Sequence, residues 1–189
     1  MAAPVNEFTG TLVRLRPATR TDIPALVRIR QTPEVFAHRR GGSDMRAAVE
    51  EDFAEDGIHP LVVLEGATVV GWIQWSAEEE PDYRFASIDI YLAPTVHGRG
   101  VGTDAIRTLI RHLIDDHGHR RFEIDPAATN AAAIRCYTKV GFRPVGVRRQ
   151  SERGNDGTWH DALLMDLLAD EFDDRSTADR FDDNPRDRQ

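Results

Sequence analysis

The stretch His97-Gly98-Arg99-Gly100-Val101-Gly102-Thr103 limits the folds open to this chain more than any other, because it joins a strand pattern to a helix pattern. Upstream, residues 85–92 alternate: Ala86, Ile88, Ile90 and Leu92 fall on one side, Ser87, Asp89 and Tyr91 on the other. Downstream, Ala105, Ile106, Leu109, Ile110, Leu113 and Ile114 recur at helical spacing, with Asp104, Arg107, Arg111 and Asp115 opposite them. A glycine-rich turn that feeds a helix N-terminus is an anion site. The first N–H groups of the helix lack intrahelical acceptors, the helix dipole adds partial positive charge, and glycine lets phosphate oxygens come close. The ligand this implies carries a pyrophosphate. It is not a nucleoside triphosphate, since no Gly-Lys-Ser/Thr follows the turn. A dinucleotide fingerprint would need glycine where Thr103 stands and would open the first βαβ unit.

A second motif lies about 30 residues on: Ile124-Asp125-Pro126-Ala127-Ala128-Thr129-Asn130, running into Ala131-Ala132-Ala133-Ile134-Arg135-Cys136-Tyr137-Thr138-Lys139-Val140-Gly141-Phe142. With both motifs in this order, the chain resembles the GCN5-related N-acetyltransferase (GNAT) superfamily. Its coenzyme A loop reads Gln/Arg-x-x-Gly-x-Gly/Ala, and a later helix carries Asn-x-x-Ala-x-x-x-Tyr-x-x-x-Gly-Phe. The nearer resemblance is to aminoglycoside 6'-N-acetyltransferases, which share Ile-Asp before the loop and an Asp-Pro-x-x-x-Asn segment leading into Ala-Ile-Arg-Cys-Tyr. The resemblance covers residues 12–168, and His97 departs from it by standing where Gln or Arg is usual.

The resemblance implies an α/β fold: a central, mostly antiparallel mixed sheet flanked by helices and splayed where acetyl-CoA binds. The splay is expected where the strand ending at Leu92 meets the strand ending at Asp125. Backbone groups near Ile90 and Leu92 would meet the pantetheine arm, and His97, Gly98, Arg99, Gly100, Val101, Gly102 and Thr103 the pyrophosphate. Asn130, Ala133 and Tyr137 would complete the acetyl-CoA site.

The sequence read by itself agrees with that element order. Residues 12–16 read as a strand, Thr21 and Asp22 cap a short helix that Pro33 interrupts, and Ser43 or Asp44 caps a second helix through Ala54. Strands follow over 61–64, 68–76 and 84–92, a helix over 101–117, a strand over 121–125, a helix over 130–139, and strands over 144–150 and 159–167. One domain over 8–169 is expected, with an acidic, polar and disordered tail over 170–189. No run has the length of a membrane span, and the opening Met-Ala-Ala-Pro is not a signal-peptide pattern. The single cysteine, Cys136, fits a reducing, cytoplasmic setting. A net charge of −8 argues against nucleic acid as a partner. The seven histidines show no metal-ligand spacing, so no metal is expected.

Acetyl transfer from a thioester to an amine requires a deprotonated amine, a polarised carbonyl and a proton for the leaving thiolate. Asp89, beside the strand's exit toward the loop, is placed to bind an ammonium and take its proton, and it matches the family's acceptor-site aspartate. The resemblance adds Asp125 at the same site and Tyr137 as general acid to the sulfur. A phenol suits that role because it stays protonated at neutral pH. The run Glu78-Glu79-Glu80-Pro81-Asp82 is expected as an acidic lip that draws in a cationic small-molecule amine, an aminoglycoside above all, with Trp75 lining the groove beside Glu79 and Asp82. Antibiotic resistance would then be the role of a monomer or homodimer. The alternative acceptor is a protein N-terminus, since residues 156–161 resemble the closing hairpin of ribosomal-protein N-terminal acetyltransferases. A non-catalytic acetyl-CoA-binding module is the remaining alternative.

Overall fold

The computed structural model describes residues 7–40 and 42–173 of the 189. Eight strands form one sheet: β1 (Phe8–Thr9), β2 (Arg14–Pro17), β3 (His59–Glu65), β4 (Thr68–Glu78), β5 (Phe85–Leu92), β6 (Arg121–Ile124), β7 (Arg143–Arg153) and β8 (Trp159–Leu168). Their spatial order is β1-β2-β3-β4-β5-β6-β8-β7, antiparallel throughout except for the parallel pair β5–β6. Among the described residues five α-helices cover its two faces: α1 (Ile23–Arg30), α2 (Pro33–Phe36), α3 (Met45–Asp52), α4 (Val101–Asp115) and α5 (Ala131–Val140).

Both faces are buried, and the strand sequences show it. Along β3, Leu61 and Val63 enter the core under α4, while Val62 and Leu64 enter the one under α1 and α3. A strand packed on both sides reads as an unbroken apolar run rather than an alternation. The α4 stripe of Ala105, Ile106, Leu109, Ile110 and Leu113 is fully buried, as its spacing predicts. Asp104, in the first turn of α4, accepts from the N–H groups of Thr11, Leu12 and Val13 at 3.1, 2.7 and 3.1 Å. That carboxylate ties the β1–β2 turn to the helix.

Three local expectations change. Pro33 opens α2 instead of ending a helix, since the first helical position needs no N–H donor. The two-residue β1 escapes the reading because it is too short to alternate. The folded region runs past 169: residues Ala169–Glu171 form a 3-10 turn, and the Phe172 ring lies 5.5 Å from the Arg107 guanidinium carbon. The expected tail beyond 173 lies outside the described residues. Among the described residues no helix is long and apolar enough to cross a membrane.

Candidate active site

The parallel pair β5–β6 is short. Only Ala86 faces Phe122 and Ser87 faces Glu123, so residues 88–92 have no strand partner on that side among the described residues. The two strands part at that point, and a cavity of about 900 Å³ opens between them. It is lined from β5, the 97–103 loop, the 125–130 segment, α5 and the segment after α2.

On one flank the loop turns through two left-handed glycines, Gly98 at φ 73° and Gly100 at φ 85°. Any side chain would be strained in that conformation. The first intrahelical bond of α4 runs from the Asp104 N–H to the Gly100 carbonyl at 2.9 Å. The N–H groups of Val101, Gly102 and Thr103 therefore have no acceptor within the helix. His97, though exposed, has its Nε2 donating to the Leu92 carbonyl at 2.9 Å, which pins the loop to the end of β5. Arg99 is drawn aside by Glu65 at 2.7 Å. These two side chains tie the loop to the end of β5 and to Glu65.

α5 supplies the next wall. Asn130 caps it, its Oδ1 accepting from the Ala133 N–H at 3.1 Å. Tyr137 lies two turns on, 7% exposed, and lines the cavity with Ala133 and Cys136. Burial pushes the Tyr137 phenol well above the ordinary tyrosine range, and the charge of Asp89 pushes the same way. It keeps its proton at neutral pH. Cys136 lies 3.5 Å from the Thr103 hydroxyl, and burial raises its thiol too, so it is not a poised nucleophile.

The other flank is built from side chains. Asp89 faces the cavity, with 44% of its side-chain surface open, and it is not alone there. Arg39 donates to both of its oxygens, at 2.7 and 2.7 Å, and lies 4.9 Å from the centre of the Tyr91 ring. Burial in the cavity wall favours the neutral acid, but the Arg39 charge and hydrogen bonds win and hold Asp89 below the ordinary carboxylate range. Asp125, at the exit of β6, pairs with Arg148 of β7 at 2.6 Å. Desolvation outweighs that partner and raises the Asp125 carboxyl, with the Asp89 charge adding to the effect. Behind Asp89, the buried Arg30 donates to Asp52 at 2.5 Å.

The structure thus brings Asp89, Asp125 and Tyr137 to one cavity and leaves the expected lip outside it. Trp75 is 5% exposed in the core under α4, stacked on His59 at 3.9 Å, and cannot line the groove. Glu79 is paired with Arg84 at 2.9 Å, and neither it nor Asp82 lines the cavity. They sit at the β4–β5 turn, at the far end of β5 from the loop. Arg39 and Arg148 are the residues that the sequence did not point to. Their partners lie 50 and 23 positions away, and no short motif encodes such pairs.

A family model described as an acetyltransferase (GNAT) domain matches residues 13–143. The chain belongs to the GNAT acetyltransferase family. It is 30% identical over 126 residues to aminoglycoside N(6')-acetyltransferase type 1 of Klebsiella pneumoniae, covering 56% of this chain and 62% of that protein. It is 31% identical over 108 residues to the N-alpha-acetyltransferase RimI of Mycobacterium tuberculosis, covering 57% and 66%. The chain therefore spans less than two thirds of the length of these curated relatives. A solved structure of AAC(6')-Ib, in complex with paromomycin and acetyl-CoA, matches with a TM-score of 0.70 at 26% identity, over 84% of this chain and 94% of that one. The GNAT fold places the parted strands and the glycine loop on one cavity. Among the described residues, no three potential ligands gather as a metal site would require.

Proposed function

We propose that this GNAT chain is an acetyl-CoA-dependent N-acetyltransferase in which a primary amine attacks directly within a ternary complex. One observation carries the reading: the unpaired edge of β5 leads straight to the unpaired N–H groups of α4, and Tyr137 and two carboxylates share that cavity. A coenzyme A thioester fits these residues. The free strand edge at Ile90 matches an extended arm that carries amides, and the left-handed Gly98 and Gly100 expose backbone to a pyrophosphate at the helix N-terminus. Acetyl-CoA supplies an acyl carbon already activated as a thioester.

The chain's own residues then handle protons and position. Asp125 lines the cavity with 44% of its side-chain surface open and its carboxyl shifted upward, so it is the group placed to take a proton from the incoming ammonium. Asp89, held low by Arg39, acts as a fixed negative charge rather than a proton acceptor. Tyr137 keeps its proton available to a departing thiolate. The N–C bond forms as the C–S bond breaks; the ammonium's lost protons leave through the base, and the thiolate gains one.

A small-molecule acceptor suits the cavity better than a peptide does. Asn155, at the tip of the β7–β8 hairpin, donates to the Phe36 carbonyl at 3.0 Å and accepts from the Gly42 N–H at 2.9 Å. The hairpin is thereby fastened to the segment after α2, which lines the cavity and narrows its rim for an extended chain. The aminoglycoside relatives support a small amine as well, although here each acceptor-side aspartate has an arginine partner. Calorimetry with acetyl-CoA, followed by coenzyme A release with a panel of amines, tests the reading. Micromolar acetyl-CoA binding with amine-dependent release is expected, and a chain that binds no acetyl-CoA overturns it.

A further inference from the structure

The acceptor wall of the cavity is organised around a matched pair of charges, not an acidic patch. Arg39 donates one N–H from each end nitrogen to Asp89. A guanidinium has five N–H groups, so the Nε–H and the second N–H on each end nitrogen remain. They have no protein acceptor among the described residues, and Arg39 lines the cavity. Asp89 keeps 44% of its side-chain surface open to the same space. The pair therefore presents a cation and an anion side by side, each with hydrogen-bonding capacity unused.

The pair is held in place from three sides. Arg30, itself 2% exposed, donates to the Arg40 carbonyl at 2.6 Å and fixes the segment that bears Arg39. Asn155 bonds to that segment on both sides of it, at Phe36 and Gly42. The Tyr91 ring supports the guanidinium face. A guanidinium fixed in this way recognises a planar carboxylate well.

A polyamine can reach Asp89 only beside a like charge. A peptide N-terminus brings an ammonium but no neighbouring anion. A molecule with ammonium and carboxylate on one carbon meets the pair head to tail, its carboxylate on the free N–H groups of Arg39 and its ammonium on Asp89. We propose that the acceptor is a free α-amino acid and that Arg39 selects its carboxylate; this rests on the acetyl-transfer reading above. The reaction joins the amino nitrogen to the acetyl carbon and breaks the C–S bond. Its products are an N-acetyl amino acid, coenzyme A as the thiol, and one proton.

The test is coenzyme A release from acetyl-CoA with each of the twenty L-amino acids, with the α-amide of each, and with kanamycin. At least one amino acid is expected to exceed its own amide in kcat/KM by about 30-fold, the scale of a charge-assisted bidentate contact. Arg39→Gln, checked for folding by its melting curve, is expected to bring that ratio below about threefold, and Arg39→Lys to leave it in between. Equal kcat/KM for acid and amide, or turnover confined to kanamycin, overturns the inference and leaves the acetyl-transfer reading standing. A ratio that survives in Arg39→Gln removes Arg39 as the selecting residue. No acetylation of any amino acid overturns the inference, and a failure to bind acetyl-CoA overturns both readings. Should Arg39→Gln not fold, the wild-type ratio of acid to amide decides the acceptor class by itself.

Discussion

The two flanks of the cavity are made of different material. The loop flank is backbone: left-handed Gly98 and Gly100, the α4 N–H groups that have no acceptor within the helix, and the edge of β5 that has no strand partner among the described residues. The opposite flank, where the acceptor is proposed to bind, is side chain: Arg39 with Asp89, Arg148 with Asp125, and Arg30 with Asp52. A backbone site tolerates little change, because every substitution meets the same φ requirement or the same strand edge. A side-chain site is retuned by exchanging one charge.

The largest effect expected on this contrast comes from Gly100→Asp. It forces a side chain into φ 85° and sets a negative charge at the N-terminus of α4. Acetyl-CoA affinity should fall by at least about 100-fold. Calorimetry on the folded variant checks this. An unchanged dissociation constant would break the comparison at its firmer end.

That contrast also explains what could be read in advance. Glycines at fixed spacing between two periodicities are a local record, so the loop and α4 were legible from the residues themselves, whereas the parting of β5 and β6 and the meeting of Asp89, Asp125 and Tyr137 were expected only from the family resemblance that the two motifs carry. Arg39 was not, because a guanidinium 50 residues from its carboxylate leaves no pattern along the chain. Trp75 was misplaced for a related reason. Alternation tells which face a side chain takes, and here both faces are core: Trp72 is buried on one side and Trp75 on the other. The acidic run looked close to Asp89 in sequence, yet the antiparallel β4–β5 pair carries it to the opposite end of the strand.

Proton handling comes next in size. Tyr137→Phe should lower kcat by about 100-fold with acetyl-CoA affinity nearly unchanged, if the phenol gives its proton to the sulfur and the loop holds the pyrophosphate as proposed. Asp125→Asn should act differently with pH. The Asp125 carboxyl titrates above the ordinary aspartate value, so wild-type kcat/KM falls as pH drops through that raised value, and the fall should vanish in the variant. A pH profile with the same acid limb in Asp125→Asn would return the base role to Asp89 or to water.

A smaller effect measures how far the acceptor flank depends on paired charges. Arg39→Gln and Asp89→Asn should each destabilise the fold modestly, and the double variant should cost less than their sum. A coupling of about 1 kcal/mol is expected for a partly open ion pair with two good hydrogen bonds. Denaturant melts of the four proteins read it. Strict additivity would mean that the pair is a passing contact and not a fixed part of the pocket.

The smallest effect is expected from the acidic run, and it tests whether charge outside the cavity counts at all. Glu78 sits opposite Phe85 in the β4–β5 ladder and Gln74 sits opposite Asp89, four rungs apart. At roughly 3.3 Å per residue this is on the order of 13 Å, beyond the Debye length of about 8 Å at physiological salt. Glu79 is moreover paired with Arg84 at 2.9 Å, so part of its charge is already balanced. Changing Glu78, Glu79 and Glu80 to Gln together with Asp82 to Asn should therefore shift KM for kanamycin or for an amino acid by less than about twofold, and added salt should change little. A several-fold rise in KM for the polycation alone, reproduced by salt in the wild type, would show that acceptors are gathered by long-range charge. The acceptor flank would then extend well past the side chains that line it, and the division between a backbone half and a side-chain half would be too narrow.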